Sequence, residues 1–324
     1  MKEALLTGGL GFIGRNVVKL LVQNGIKLHM IVRPGSDISE ISGNGLINIV
    51  QVDLENTLEL ARKMRPLMFD TVFHIGAIRG VCNIKKSTYW KVNVEATECL
   101  AKLALERAAK FIFCSSVGVY GVIPKQLPPQ ATTQLQPDNF YHYTKVTSEK
   151  NLHRLKEKGL HFCIIRPSIT YGTNDYGFPF SLINMVDKGI FLNSTSSVKI
   201  NMVDVESLAQ AFFNAAIYKV RNGSAFDICD NNPVNLKQIV DFINQNLKNK
   251  NYPWFKKLPP FMFKVGEYCS EKIFKSNAWK ARFQLISRDW YYNPQQSKDE
   301  LKIVPKETIP NFAYVIDWYK KCYK

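Results

Sequence analysis

Short apolar runs and amphipathic stretches alternate along the first half of the chain. EALLTGG, KLHMIVR, INIVQVDL, TVFHIGA, KFIFCSS and HFCIIRP are rich in Val, Ile and Phe, which predicts buried strands. Between most of them, over residues 12–24, 87–109 and 141–158, apolar positions recur at helical spacing. Strands separated by helices pair in parallel, because a parallel connection needs a crossover and the helix supplies it. The pattern therefore predicts an α/β fold built on a doubly wound parallel sheet.

After about residue 172 the rhythm loosens. Short strand patterns (VKINMV, SAFDIC) and helical ones (204–219, 235–248) interleave with turn-rich pieces. The expected organisation is a nucleotide-binding part over residues 1–172 and a smaller α/β substrate-binding part over 173–324, interleaved with the first. Residues 252–283 mix aromatics with an excess of lysine, and no internal repeat or low-complexity tract interrupts the chain.

Apolar residues at 46% and charged ones at 22% exclude a disordered chain or a membrane-spanning bundle. Forty-three Lys and Arg against 27 Asp and Glu give a net charge of +16, which favours anionic partners without specifying a fold. No motif places those charges as a nucleic-acid site requires, so no nucleic acid is expected. The seven cysteines (82, 99, 114, 163, 229, 269 and 322) are odd in number, and none forms a C-x-x-C pair. They suggest reduced core packing rather than a disulfide frame or a zinc site. The five histidines show no metal-ligand spacing, and no metal is expected. MKEALLTGG enters a strand directly, without the apolar core of a secretory leader. The expected location is cytoplasmic and reducing.

The stretch TGGLGFIG, residues 7–14, follows a predicted strand and opens a helix. In that context Gly8 makes a tight turn, Gly11 lets backbone approach a pyrophosphate, and Gly14 packs helix on strand. The helix start at Phe12 and Ile13 offers free N–H groups to the anion. This is the dinucleotide-binding turn of a Rossmann-type sheet. Where such sites carry an acid for the adenosine ribose, the second strand here ends in Arg33. A guanidinium grips a 2′-phosphate with paired hydrogen bonds, so NADP is expected over NAD, with Arg15 adding to it.

NFYHYTK, residues 139–145, places Tyr141 and Lys145 four apart, on one helix face, with Tyr143 turned away. Upstream, SSVGVYG puts Ser116 at a strand's C-terminal end, where ligands bind in such sheets. The three suit a carbonyl–alcohol redox site. Tyr141 exchanges a proton with the substrate oxygen, Lys145 lowers the phenol's pKa from about 10 and holds the nicotinamide ribose, and Ser116 orients the oxygen.

With these motifs the chain resembles the extended branch of the short-chain dehydrogenase/reductase superfamily, the epimerase/dehydratase family. The resemblance also rests on Asp53 in VQVDL, HIGA (74–77), Asn93 in YWKVNVEAT, RPSITYG (166–172) and NMVDVESLAQA (201–211). It implies that Asp53 and Leu54 flank the adenine, Ala77 lines the cofactor and Asn93 supports its nicotinamide side. Pro167 and Ser168 would border the amide. It further implies that Ser116, Tyr141 and Lys145 are the catalytic set, that Tyr143 is packing or a pocket wall, and that the enzyme is a homodimer joined through helices near 87–109 and 141–158.

Nucleotide-sugar members of that branch commonly clamp the substrate diphosphate with an arginine just before the pair matching Met202–Val203. Here Ile200 and Asn201 stand there, with Lys199 nearby. Together with Arg33 and Ser168, this makes the pattern closer to dihydroflavonol reductase and 3β-hydroxysteroid dehydrogenase type members. The expected reaction is NADP-dependent interconversion of a ketone and a secondary alcohol on a small or lipid-like molecule. The alternative is a nucleotide-sugar epimerase or dehydratase with tightly held NAD(P). Trp254, Phe255, Leu258, Phe261, Met262 and Phe263 are expected to form an apolar lid, with neighbouring lysines making peripheral contact with an anionic membrane.

Overall fold

The computed structural model describes residues 1–79 and 84–323; Cys82 lies outside them. The six apolar runs form β1 (Glu3–Thr7), β2 (Lys27–Val32), β3 (Ile47–Gln51), β4 (Thr71–His74), β5 (Lys110–Cys114) and β6 (Phe162–Pro167). All join one parallel sheet, and Ala225–Ile228 extends it as a seventh strand beside β6. The spatial order is Ala225–Ile228, β6, β5, β4, β1, β2, β3. The winding direction reverses between β1 and β4, which opens a crevice at the C-terminal strand ends where ligands bind in open α/β sheets.

The strands are apolar on both sides because both faces are covered. In β1, Ala4 and Leu6 face one core with Val17 and Leu21 of α1 (Phe12–Gln23). Leu5 faces the other with Leu60 of α2 (Thr57–Met64). The expected single helix over 87–109 is interrupted. It runs as α3 (Lys86–Trp90), a π-helical turn Lys91–Glu95, and α4 (Ala96–Glu106). The turn buries Asn93, and its carbonyl accepts hydrogen bonds from Thr97 Oγ1 at 2.6 Å and Ser148 Oγ at 2.8 Å. Regular apolar spacing does not reveal one extra residue in a turn. The next helix, α5 (Phe140–Lys156), starts where Asn139 accepts the His142 N–H.

Beyond residue 172, α6 (Phe178–Asp187) and α8 (Leu236–Lys248) surround a second core with Tyr171, Trp290 and Phe312, while α7 (Val205–Ile217) packs against α1. Ala225–Ile228 and α7 are thus parts of the seven-stranded sheet and its covering layer drawn from the second half. Two further helices, α9 (Pro260–Lys272) and α10 (Asn277–Ser287), form a hairpin. Gly266 sits so close to Phe283 that a Cβ there would lie 2.9 Å from the ring. Of the six described cysteines, all free, Cys114, Cys163 and Cys229 are buried, Cys99 and Cys269 are partly buried, and Cys322 is exposed. Core packing therefore accounts for the first three and not for Cys322. Among the described residues no helix is long and apolar enough to cross a membrane.

One buried ionic network ties α5 to the sheet edge. Arg166 meets both carboxylate oxygens of Glu149, at 2.6 and 3.0 Å, and donates to Tyr120 Oη at 2.7 Å. Tyr120 donates in turn to Asp227 on the edge strand, at 3.1 Å. Breaking such a pair from one side leaves charge buried without compensation. Arg166→Met should therefore lower the unfolding free energy by about 3–5 kcal/mol, read from urea titration. The combined Arg166→Met/Glu149→Leu/Asp227→Leu chain should recover a large part of that loss.

Candidate active site

At the C-terminal ends of β4, β5 and β6 lies a cavity of about 420 Å³. Ile13, Ala77, Ser116, Tyr141, Lys145, Pro167 and Ser168 all border it, so residues far apart in the chain meet at one place. Gly8, Gly11, Phe12, Gly14, Arg33, Asp53, Leu54 and Asn93 do not line this cavity.

The glycine turn tests whether a dinucleotide can be held. Gly8 has φ +76°, and a Cβ there would lie 2.5 Å from the Gly76 nitrogen beyond β4; at Gly14 it would lie 2.0 Å from the Gly8 carbonyl oxygen. Gly11 precedes α1 with no side chain capping the helix. The turn therefore presents bare backbone N–H groups in a cradle that side chains would fill, which fits a pyrophosphate. Arg33 is exposed directly beyond β2. Arg15 pairs with Glu40 at 3.4 Å, so its expected role beside Arg33 competes with an existing ion pair. Asp53 accepts the Glu55 N–H at 2.9 Å, and Leu54 packs beside Gly76. Phe12 packs against Gly172.

Lys145 is 2% exposed. Its ammonium donates to the Cys114 carbonyl at 2.7 Å, 4.8 Å from the centre of the Phe113 ring and 5.9 Å from that of Tyr141. Burial pulls the ammonium below the usual lysine range, against the opposing pull of Cys114 and Glu149. The same burial pushes the Tyr141 phenol above 10, with Cys114 adding to the rise and the Arg79 charge opposing it. The phenol is thus raised where lysine-assisted lowering was expected, because desolvation outweighs the opposing charge of Arg79. Tyr143 is 48% exposed, lies against Trp90 and Phe140, and is not a pocket wall.

Several expected site residues also hold the frame. The Ser116 hydroxyl accepts the Gly118 N–H at 3.0 Å, capping the short helical turn Val117–Tyr120, and its O–H remains available to donate. Asn93 exchanges hydrogen bonds with the Ile78 backbone, both at 2.9 Å, and donates to Thr144 Oγ1 at 3.0 Å. It thereby anchors the loop after β4 to α5. Ser168 donates to the Asn201 carbonyl, linking the two halves.

The cavity also holds residues that the motifs did not single out. Asp175 is 3% exposed; its Oδ1 accepts the Gly177 N–H at 3.1 Å, while Oδ2 is buried without a hydrogen-bond partner. Burial raises its pKa to about 6. Arg79, His142, Trp290 and Tyr292 complete the wall. The expected apolar lid is corrected. Trp254, Phe255, Phe261 and Met262 are exposed and Phe263 is buried, while Ala281 and Leu285 of α10 reach the cavity. Aromatic composition alone does not say which side of a helix faces inward. Among the described residues no group of three or more His, Cys, Asp or Glu could share a metal.

His74 bridges Thr7 Oγ1 and Thr97 Oγ1 at 2.7 and 2.8 Å beneath the turn, and burial lowers its pKa to about 3. Its folded-state pKa lies below the unfolded value near 6.5, so its contribution is present above pH 6.5 and is lost as pH falls towards 3. The stability gap between the wild type and His74→Gln should shrink by about 2 kcal/mol from pH 7.5 to pH 5, measured by urea unfolding at both pH values.

The model for the NAD dependent epimerase/dehydratase family matches residues 4–229. The chain is 29% identical over 249 residues to UDP-glucose 4-epimerase of Vibrio cholerae, covering 74% of each chain. It is 27% identical over 252 residues to 3-beta-hydroxysteroid dehydrogenase of Mycolicibacterium neoaurum, covering 72% of this chain and 67% of that one. The fold matches the crystal structure of UDP-glucose 4-epimerase from Thermotoga maritima with a TM-score of 0.79 at 20% identity, over 99% of this chain and 100% of that one.

Proposed function

The chain belongs to the NAD-dependent epimerase/dehydratase family and is an enzyme of the extended short-chain dehydrogenase/reductase type. On that premise we propose that it is an NADP-linked oxidoreductase interconverting a ketone and a secondary alcohol on an apolar organic substrate. One observation carries the choice of substrate. Ile169, Phe178, Pro179, Leu285 and Trp290 line the cavity that Tyr141 borders, and the position for a diphosphate clamp holds Ile200 and Asn201, both fully buried. A buried isoleucine cannot pair with phosphate.

A nicotinamide dinucleotide, its pyrophosphate held at the Gly8–Gly14 turn, would supply hydride chemistry at the substrate's carbonyl carbon. Tyr141, held neutral by burial, is suited to donate its proton to the carbonyl oxygen in the reducing direction. Ser116 donates its free O–H to the same oxygen and aligns it. Lys145 carries its charge beneath the phenol, where it opposes negative charge left on Tyr141. The unpaired Oδ2 of Asp175 favours a substrate that presents a hydroxyl or amine donor away from the reacting centre. NADP is assigned on Arg33, the exposed cation at the end of β2. The oligomer in this reading is a homodimer joined through α3–α4 and α5, and the free thiols suit a reducing, cytoplasmic setting.

The second reading, a nucleotide-sugar epimerase, is favoured by the 29% identity to the Vibrio cholerae enzyme. The two part on net chemistry. The oxidoreductase consumes added NADPH with apolar ketones, whereas the epimerase retains its nicotinamide and shows no net absorbance change while converting a sugar nucleotide. Tyr141→Phe should lower kcat roughly 10²- to 10⁴-fold, with NADPH affinity, followed by its fluorescence, kept within a factor of about two.

Arg33→Ala should weaken NADP binding about tenfold or more, the loss of one charge-assisted contact. NAD binding should change little. Equal losses for both cofactors, measured by calorimetric titration, would overturn the assignment of NADP.

A further inference from the structure

The hairpin α9–α10 has two unlike sides. Inward, Phe263 is buried, Glu267 pairs with Arg288 at 2.7 Å, and Ala281 and Leu285 reach the active-site cavity. Outward, Phe261, Val265 and Tyr268 stand on α9 at positions i, i+4 and i+7, 56–64% exposed. Ile273 and Phe274 at the hairpin tip are 65% and 71% exposed, and Trp279 is 53% exposed with Arg282 over its ring at 4.8 Å. Just before the hairpin, Trp254 and Phe255 are 77% and 66% exposed. Large apolar side chains concentrated in this way mark an interaction surface.

Charge selects the occupant. Residues 252–283 carry seven basic residues against two acidic ones, Glu267 and Glu271. Both acids are already paired, Glu267 with Arg288 and Glu271 with Lys280. Lys264, Lys272 and Lys275, all exposed, flank the apolar positions on the helix and at the tip. A second copy of this chain docked face to face would set cation against cation. A surface of negative charge over hydrocarbon accepts both components, with the aromatic rings at headgroup depth and the lysines among the anionic groups. We propose that the outward side of α9–α10 docks on an anionic phospholipid bilayer and holds the active-site cavity, of which α10 is one wall, against the membrane surface.

The docking claim does not depend on the proposed reaction, and its readout is vesicle binding rather than turnover. The full chain is floated with phosphatidylcholine vesicles, with and without phosphatidylglycerol. The wild type should bind the anionic vesicles at least about tenfold more than the neutral ones, and lose that binding in high salt. Phe261→Glu/Phe274→Glu replaces two exposed side chains, so circular dichroism and the thermal midpoint should stay unchanged while vesicle binding falls about tenfold or more. Lys272→Glu/Lys275→Glu should reduce binding and flatten its salt dependence. Absence of binding to anionic vesicles, or binding that both variants leave intact, would overturn the proposal. So would self-association seen by light scattering and abolished by these variants without any vesicle binding, which would assign the face to a second copy.

Discussion

A lysine ammonium enclosed at the end of β5, held by the Cys114 carbonyl and the face of Phe113, fixes the geometry of the site. The cation cannot leave this position without losing the groups that compensate its desolvation. It therefore locks α5 to the end of the sheet and sets where the first turn of that helix can lie. Tyr141 stands in that first turn. Glu149, one turn beyond Lys145, adds favourable charge and carries the constraint on to Arg166 and the edge strand. The first turn of α5 thus inherits its position from a chain of buried polar contacts that ends at Asp227.

The cavity lies between two cores that the chain builds in different ways. The sheet and its covering helices are continuous in sequence apart from α7 and the seventh strand. The second core gathers Tyr171, Trp290, Phe312 and Ile316 from segments nearly 150 residues apart. Buried hydrogen bonds join the two parts. Tyr171 Oη and Thr308 Oγ1 both donate to Asp230 at 2.7 Å, Tyr314 Oη donates to Asp204 at 2.7 Å, and Ser168 donates to the Asn201 carbonyl. The wall that decides what fits beside Tyr141 is consequently set by the less regular half of the molecule.

This division explains what the amino-acid pattern disclosed. The six strands of the first half, the glycine turn and the pairing of Tyr141 with Lys145 were legible, because local spacing alone determines them. The place of SAFDIC beside β6 was not, since strand order depends on contacts distant in the chain. Asp175 and Arg79 carried no motif, and only folding brings them to the cavity. For Asn93 the identity was legible but the use was not: a hydrogen bond to a loop backbone leaves no mark on composition. Phe261 and Met262 were misplaced for a related reason, as an aromatic-rich helix looks the same whether its rings face a pocket or solvent.

The π-helical turn at Lys91–Glu95 is equivalent to one surplus residue in an otherwise regular helix. Removing a single residue there would restore a uniform winding, but would rotate α3 by about 100° about its axis relative to α4. Tyr89 and Trp90 would swing away from Phe140 and Tyr143, which they now adjoin. The irregularity therefore acts as a phase adjuster, letting one rod of backbone present two differently oriented faces to the start of α5.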